Sequence, residues 1–278
     1  MTDHQPLKDK TLFITGGSRG IGRAIALTCA RAGANVVLAA KSDTPHPKLP
    51  GTIHSVADEI AEAGGRALPI KLDVQDAEAV STAMAEAAAH FGGIDMLVNN
   101  AGAIRLQGVE KLPVKRYDLM QSVNSRAVFV CSQAALPWLK QSSNGHILSL
   151  SPPINLAPKW FAGHAPYTLS KYGMTLLSIG MAEEFRSYGI AVNTLWPQTL
   201  IATAAIEFEV GGQEMMARGR NPEIMADAAL HILQQPASGY TGQWLIDEAL
   251  LRDAGVTDFD RYRHSPSVDP LLNDLFLD

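Results

Sequence analysis

The sequence predicts an α/β protein: a single doubly wound domain on a mainly seven-stranded parallel sheet. Three observations predict it. Seven short runs rich in Val, Ile or Leu recur along the 278 residues, each continuously apolar rather than alternating. Strands buried on both faces read that way, and such strands belong to parallel sheets covered by helices. The runs alternate with longer segments of helical pattern, the order that strand–helix–strand crossovers require. No linker or shift of composition divides the chain, so residues 1–278 read as one domain, with a core over about 10–247 and an extension over 248–278.

The expected strands are Thr11–Thr15, Asn35–Ala40, Ala67–Leu72, Met96–Asn99, His146–Leu150, Ile190–Leu195 and Gln243–Ile246. The expected helices are Gly20–Ala32, Ser55–Ala63, Asp76–His90, Leu112–Lys140, Pro166–Ser187 and Asn221–Gln234. The third opens on acids and is rich in Ala and Glu, which favour helix. Ser42–Thr52 carries three prolines and must be a loop. From Asp247 onward charges, Gly and Pro mix, which suits a coiled extension on the sheet edge or on a partner subunit.

Hydrophobic residues make up 46% and charged residues 18%, with net charge −5. That balance suits a globular enzyme and argues against a nucleic-acid partner, which calls for a basic patch. The two cysteines, Cys29 and Cys131, lie in apolar helical stretches and read as small buried residues. No Cys/His cluster has metal-ligand spacing, so no metal is expected. The polar start of the chain lacks the apolar core of a secretory leader, and no run reaches membrane-span length, so the expected compartment is the cytoplasm.

Thr15-Gly16-Gly17-Ser18-Arg19-Gly20-Ile21-Gly22 directly follows the first strand and opens the first helix. Glycines there let the backbone turn sharply and a pyrophosphate approach, while the helix start offers free N–H groups. Asp73-Val74 follows the third strand, Asn99-Asn100-Ala101-Gly102 closes the fourth, and Tyr167-Thr168-Leu169-Ser170-Lys171 opens the fifth helix. With these four motifs in order, the chain resembles the short-chain dehydrogenase/reductase family from about Lys10 to about Asp247.

The resemblance implies a Rossmann domain with a nicotinamide cofactor on Gly16, Gly17, Ser18, Arg19, Gly20, Ile21, Gly22, Asp73, Val74, Asn100, Ala101, Gly102, Tyr167, Lys171 and Pro197. In dinucleotide folds an acid at the end of the second strand binds the ribose 2′-hydroxyl and repels a 2′-phosphate. Here that position is Ala40, followed by Lys41, with Arg19 on the same side. Two cations and no acid suit a 2′-phosphate, so the expected cofactor is NADP(H). Lys48 reads as a surface lysine, with folding over the same phosphate as the other possibility.

Tyr167 and Lys171 are four apart and share a helical face. A nearby ammonium lowers a phenol's pKa, which would fit Tyr167 to exchange a proton with a carbonyl or alcohol oxygen. The family implies that Lys171 also holds the nicotinamide ribose and that Asn124 holds a water on the proton path. It also implies a small polar residue two places after the fifth strand, where this chain has Ser149-Leu150-Ser151-Pro152-Pro153. Proline has no hydroxyl, so Ser151 becomes the candidate, expected within hydrogen-bond reach of Tyr167, with Ser149 as fallback. Pro197-Gln198 departs from the family's Pro-Gly.

The substrate pocket is expected from Ile104–Gly108, Pro152–His164 and Thr199–Gln213, with apolar Ile154, Leu156, Trp160, Phe161, Ile201, Ile206, Phe208, Met215 and Met216, and Gly211-Gly212 as a lid hinge. These residues read equally well as ordinary packing. The leading function is interconversion of a carbonyl and an alcohol on a lipophilic small molecule. A non-catalytic NADP(H)-sensing protein on the same fold is the alternative. A sugar-nucleotide epimerase is disfavoured by the glycine spacing. The family also implies a homodimer or homotetramer through the helices that carry Asn124 and Tyr167.

Overall fold

A computed structural model describes residues 5–47 and 49–278; the polar start over Met1–His4 and Lys48 lie outside the described residues. The strands are β1 (Thr11–Thr15), β2 (Asn35–Ala40), β3 (Arg66–Lys71), β4 (Met96–Asn99), β5 (His146–Ser149), β6 (Ala191–Trp196) and β7 (Trp244–Ile246). They form one parallel sheet in the order β3-β2-β1-β4-β5-β6-β7, the expected doubly wound architecture. The order reverses between β1 and β4, and ligands bind outside the strand ends at such a point.

The helices are α1 (Gly20–Arg31), α2 (Ile53–Glu62), α3 (Ala77–Phe91), α4 (Val114–Gln121), α5 (Ala127–Leu139), α6 (Ala165–Glu184), α7 (Gly212–Ala217), α8 (Glu223–Leu233) and α9 (Asp247–Asp253). Their starts follow local chemistry. Asp76 caps α3 by accepting from the Glu78 and Ala79 amides, and Thr52 caps α2 in a reciprocal pair with Ser55. One apolar layer packs α1, α2 and α8 on one face of the sheet, and a second packs α3, α5 and α6 on the other. Cys29 and Cys131 sit inside these layers, where burial pushes both thiols up to about 12.

Two expectations change. The single helix over Leu112–Lys140 is α4 and α5 joined by a wide π-helical turn, Ser122–Arg126. Such turns re-aim a side chain, and this one directs Asn124 fully inward. The extension begins as a helix beside the edge strand β7 rather than as a coil. It opens with α9, and residues 272–278 return across the segments that follow β5 and β6. Leu200 donates to the Leu272 carbonyl, Asp274 to that of Gln198, and the Trp196 indole to that of Leu275.

Candidate active site

The loop after β1 builds a cradle. Gly16 and Gly20 have φ of +72° and +54°, which glycine adopts without strain. A Cβ on Gly22 would lie 2.3 Å from the Gly16 carbonyl oxygen and 2.4 Å from the Asn100 amide. Gly17 faces the core instead, where a Cβ would press on Leu38 and Ile14. The Asn100 side chain donates to the carbonyls of Thr15 and Gly16, and the Thr15 hydroxyl accepts from the Asn100 and Ala101 amides. These bonds weld the end of β4 to the loop. The N-terminus of α1 has no side-chain cap and no acid in its first turn. Its free N–H groups therefore face a cleft of about 1870 Å³, beyond the roughly 300–1,000 Å³ of a pocket for a compact ligand.

That donor set and the glycine cradle suit a dinucleotide pyrophosphate. Gly22→Ala should therefore destabilise the fold by about 1–3 kcal/mol and reduce dinucleotide binding below detection. Thermal denaturation and a fluorescence titration check this; unchanged binding would show that the cradle is not used.

The same cleft is bordered by Lys41, Asp73, Val74, Asn100 and Asn124, and farther along by Tyr167, Lys171 and Pro197. Asp73 lies 2.9 Å from the Lys41 ammonium, so an acid does reach this end, from β3 rather than β2. Burial raises the Asp73 carboxyl, but Lys41 and the Gln75 amide outweigh it and hold it below its usual range. Arg19 donates to the Pro50 and Gly51 carbonyls, tying the Pro-rich loop to the cradle.

On α6, Tyr167 and Lys171 are both buried. The Lys171 ammonium donates to the Leu150 carbonyl at 2.5 Å and lies 5.0 Å from the Trp196 ring. Burial pushes Lys171 down to about 7, with the Asp274 carboxyl opposing. Tyr167 moves against the expectation. Burial, with Asp274 adding to it, pushes its phenol above the ordinary range. Both effects favour the acid form of the tyrosine. The Asn124 amide donates to Ala103 and to the Ser170 hydroxyl and accepts from the Ala103 amide. It ties the segment after β4 to α6 beside Tyr167.

The short chain dehydrogenase description matches residues 10–209. The chain belongs to the short chain dehydrogenase family. It is 54% identical to hydroxysteroid dehydrogenase-like protein 2 of Danio rerio over 96% of this chain, and 51% identical to that of Homo sapiens. It spans 64% and 63% of the length of those two relatives. A crystal structure of a short chain dehydrogenase from Mycobacterium thermoresistibile is 53% identical, with TM-score 0.92 over 98% of this chain and 96% of that one.

Within this family frame, three departures resolve. Ser151 does not reach Tyr167: its hydroxyl is fully buried, with no hydrogen-bond partner among the described residues, and it does not border the cleft. The Thr175 hydroxyl holds the Pro152 carbonyl, pinning the loop so that Leu150, not Ser151, faces the cleft. Ser149 is also turned inward, bonded to Ser178 and Asn99. Gln198 needs no glycine-like geometry: among the described residues only Asp9 and Phe276 are non-glycines with positive φ.

The third departure is the pocket. Ile154, Leu156, Trp160 and Phe161 do not border the cleft: Ile154, Trp160 and Phe161 pack in the cluster around Phe276, and Leu156 is exposed to solvent. The Phe276 ring is nearly parallel to that of Tyr167 at 6.4 Å and contacts Tyr172, Trp160 and Trp196 at 5.1–5.9 Å. Ile104, Ile201, Ile206, Phe208, Met215 and Met216 do border the cleft, as expected. Arg105 pairs with Glu209 at 2.9 Å and latches the segment before Gly211-Gly212 to the opposite rim. Nothing local in the sequence marks Asp274 or Phe276 as site residues.

Proposed function

We propose that the protein is an NADP(H)-dependent oxidoreductase that interconverts a carbonyl and an alcohol on a lipophilic small molecule, with Tyr167 as acid/base. The observation that carries this reading is the placement of Tyr167 and Lys171 on one wall of the cleft that begins at the glycine cradle. The cofactor, when bound, supplies or accepts the hydride. Tyr167 holds a proton at its Oη and delivers it to the carbonyl oxygen, or removes it in the reverse direction. Lys171, between the Leu150 carbonyl and the Trp196 ring, is positioned to hold the nicotinamide ribose hydroxyls. Asn124 keeps α6 and the segment after β4 in register. Trp196 and Phe276 keep water from the phenol, and the apolar rim from Ile104 to Met216 supports a lipophilic substrate.

Ala40 at the end of β2, with Lys41 and Arg19 bordering the cleft, supports a 2′-phosphate, and a 27% identical short-chain oxidoreductase structure is in complex with NADP. NADPH should bind more tightly than NADH, and Lys41→Asp should weaken NADPH by about 10- to 100-fold, the worth of one charge-assisted contact. Equal dissociation constants for the two cofactors in the unaltered protein would remove the NADP(H) reading. A screen of NADPH consumption with aliphatic, steroid, terpenoid and acyl carbonyls tests the reaction itself. Two observations favour a non-catalytic cofactor-binding protein instead: Ser151 is withdrawn and Phe276 lies against Tyr167. NADPH binding with no turnover across that screen would select it.

Among the described residues no helix is long and apolar enough to cross a membrane. Exposed Leu169, Leu176 and Ile179 on α6, with Phe129 on α5, support assembly of a homodimer or homotetramer through these helices. The cytoplasm is the proposed compartment.

A further inference from the structure

The end of the chain brings a carboxyl to the wall that carries Tyr167 and Lys171. Its placement is built rather than incidental. The Asp274 amide donates to the Gln198 carbonyl at 3.1 Å, and the Leu275 amide donates to Asp274 Oδ1 at 2.6 Å. The next carbonyl, that of Leu275, is held by the Trp196 indole at 2.9 Å. Asp274 therefore enters the cleft from a backbone pinned on both sides, and it borders the same space as Tyr167 and Lys171.

Its charged surroundings are few. Lys171 and Tyr167 border the same cleft from α6, and Asp247 at the start of α9 acts on it electrostatically. Asp247 in turn is paired electrostatically with Arg220, which is buried and bound to Glu248. Asp274 is half-buried on the cleft wall, where charges are screened less than in bulk water. We propose that Asp274 is a positioning residue of the active site: the C-terminal segment holds its carboxyl on the wall that carries Tyr167 and Lys171, as the counter-charge to the Lys171 ammonium. This rests on the reading of Tyr167 as the proton carrier.

The titrations fit that placement. Burial pushes Asp274 up to about 7, Asp247 adds to the rise, and the Leu275 amide and Lys171 oppose it. Lys171 comes down to about 7. The two groups therefore change charge in the same pH range. Removing the acid takes away a negative charge that raises both Tyr167 and Lys171, so both should titrate at lower pH in its absence.

Asp274→Asn is the test, because its amide oxygen can still accept from Leu275. Two quantities are read: kcat/KM against pH, and the unfolding stability of the unliganded protein against pH. The neutral limb of the kcat/KM profile should move down by about one pH unit or more. The stability arm has its own sign. A carboxyl raised from 3.8 to about 7 stabilises the fold below its unfolded value and loses that contribution as pH rises through its folded value. The Asn variant has no such loss, so its stability relative to the unaltered protein should climb between these two values and level off above. The stability arm needs no turnover, so it judges Asp274 even if Tyr167 proves dispensable. An unmoved limb, or a stability difference flat across that window, overturns the proposal. Tryptophan emission reports tail docking through Trp196. Should Asn loosen the tail, Asp274→Glu is read in its place. Return of the unaltered limb supports the proposal, and a limb displaced as in the Asn variant overturns it.

Discussion

Tyr167→Phe should lower turnover by about 10²–10⁴-fold, the range for loss of one general acid, while NADPH affinity stays within about twofold. The hydroxyl is the only group removed, and the ring stays among Phe276, Trp196 and Met120, so the packing of the wall is retained. Because burial holds the phenol protonated, the unaltered enzyme should need no tyrosine ionisation to reduce a carbonyl at neutral pH. Single-turnover kinetics and a cofactor titration on the same sample separate the two effects. A Phe variant with near-normal turnover would place the proton on another group and end the tyrosine mechanism.

Phe276→Ala should release the end of the chain. Removing a fully buried phenylalanine costs about 3–5 kcal/mol when the fold must keep the cavity. Here the fold need not keep it. Phe276 lies in the irregular segment after α9, and its φ of +74° adds strain of about 1–2 kcal/mol that ring packing must offset. The tail should therefore undock, and the loss of global stability should stop at whatever docking contributes. Three readouts are expected to move together: proteolytic sensitivity of the segment around Phe276 rises, tryptophan emission shifts to the red, and KM falls for bulky carbonyls relative to small ones. A tail that stays protease-resistant with unchanged emission would show that the ion pair of Lys159 with Asp278 and the backbone bonds hold it without the ring. Phe276→Leu, which refills part of the volume, should recover part of each effect.

The link between these two expectations lies in what surrounds the phenol. Tyr167 and Lys171 were legible because their spacing shares a helical face and because they stand in order with the glycine loop and Asn99-Asn100-Ala101-Gly102, as the family resemblance implies. The direction in which the tyrosine's proton affinity moves was not, because it depends on burial by Phe276 and on the Asp274 carboxyl, neither of which is near α6 in the chain. The same holds at the other end of the cleft. Lys41 could be read from the end of β2, but Asp73 faces it only because β3 lies beside β2 in the sheet.

The amino-acid sequence alone determined the sheet, its parallel sense, the cradle between β1 and α1, and the placement of Asn100, Asn124, Tyr167 and Lys171 on their elements. These follow from apolar periodicity, capping residues and glycines, which act within one turn or one strand and so are written locally. Only the tertiary structure decided that Ser151 turns inward, that a π-helical turn aims Asn124, and that the end of the chain closes the site. A hydroxyl's direction depends on what pins the next residue, as Thr175 pins Pro152 across 23 positions. Tail docking depends on bonds such as that between Trp196 and Leu275, 79 positions apart. A mixed polar and apolar segment carries no period that names its partner, so its place is set by the cavity that three sequence-distant elements leave for it.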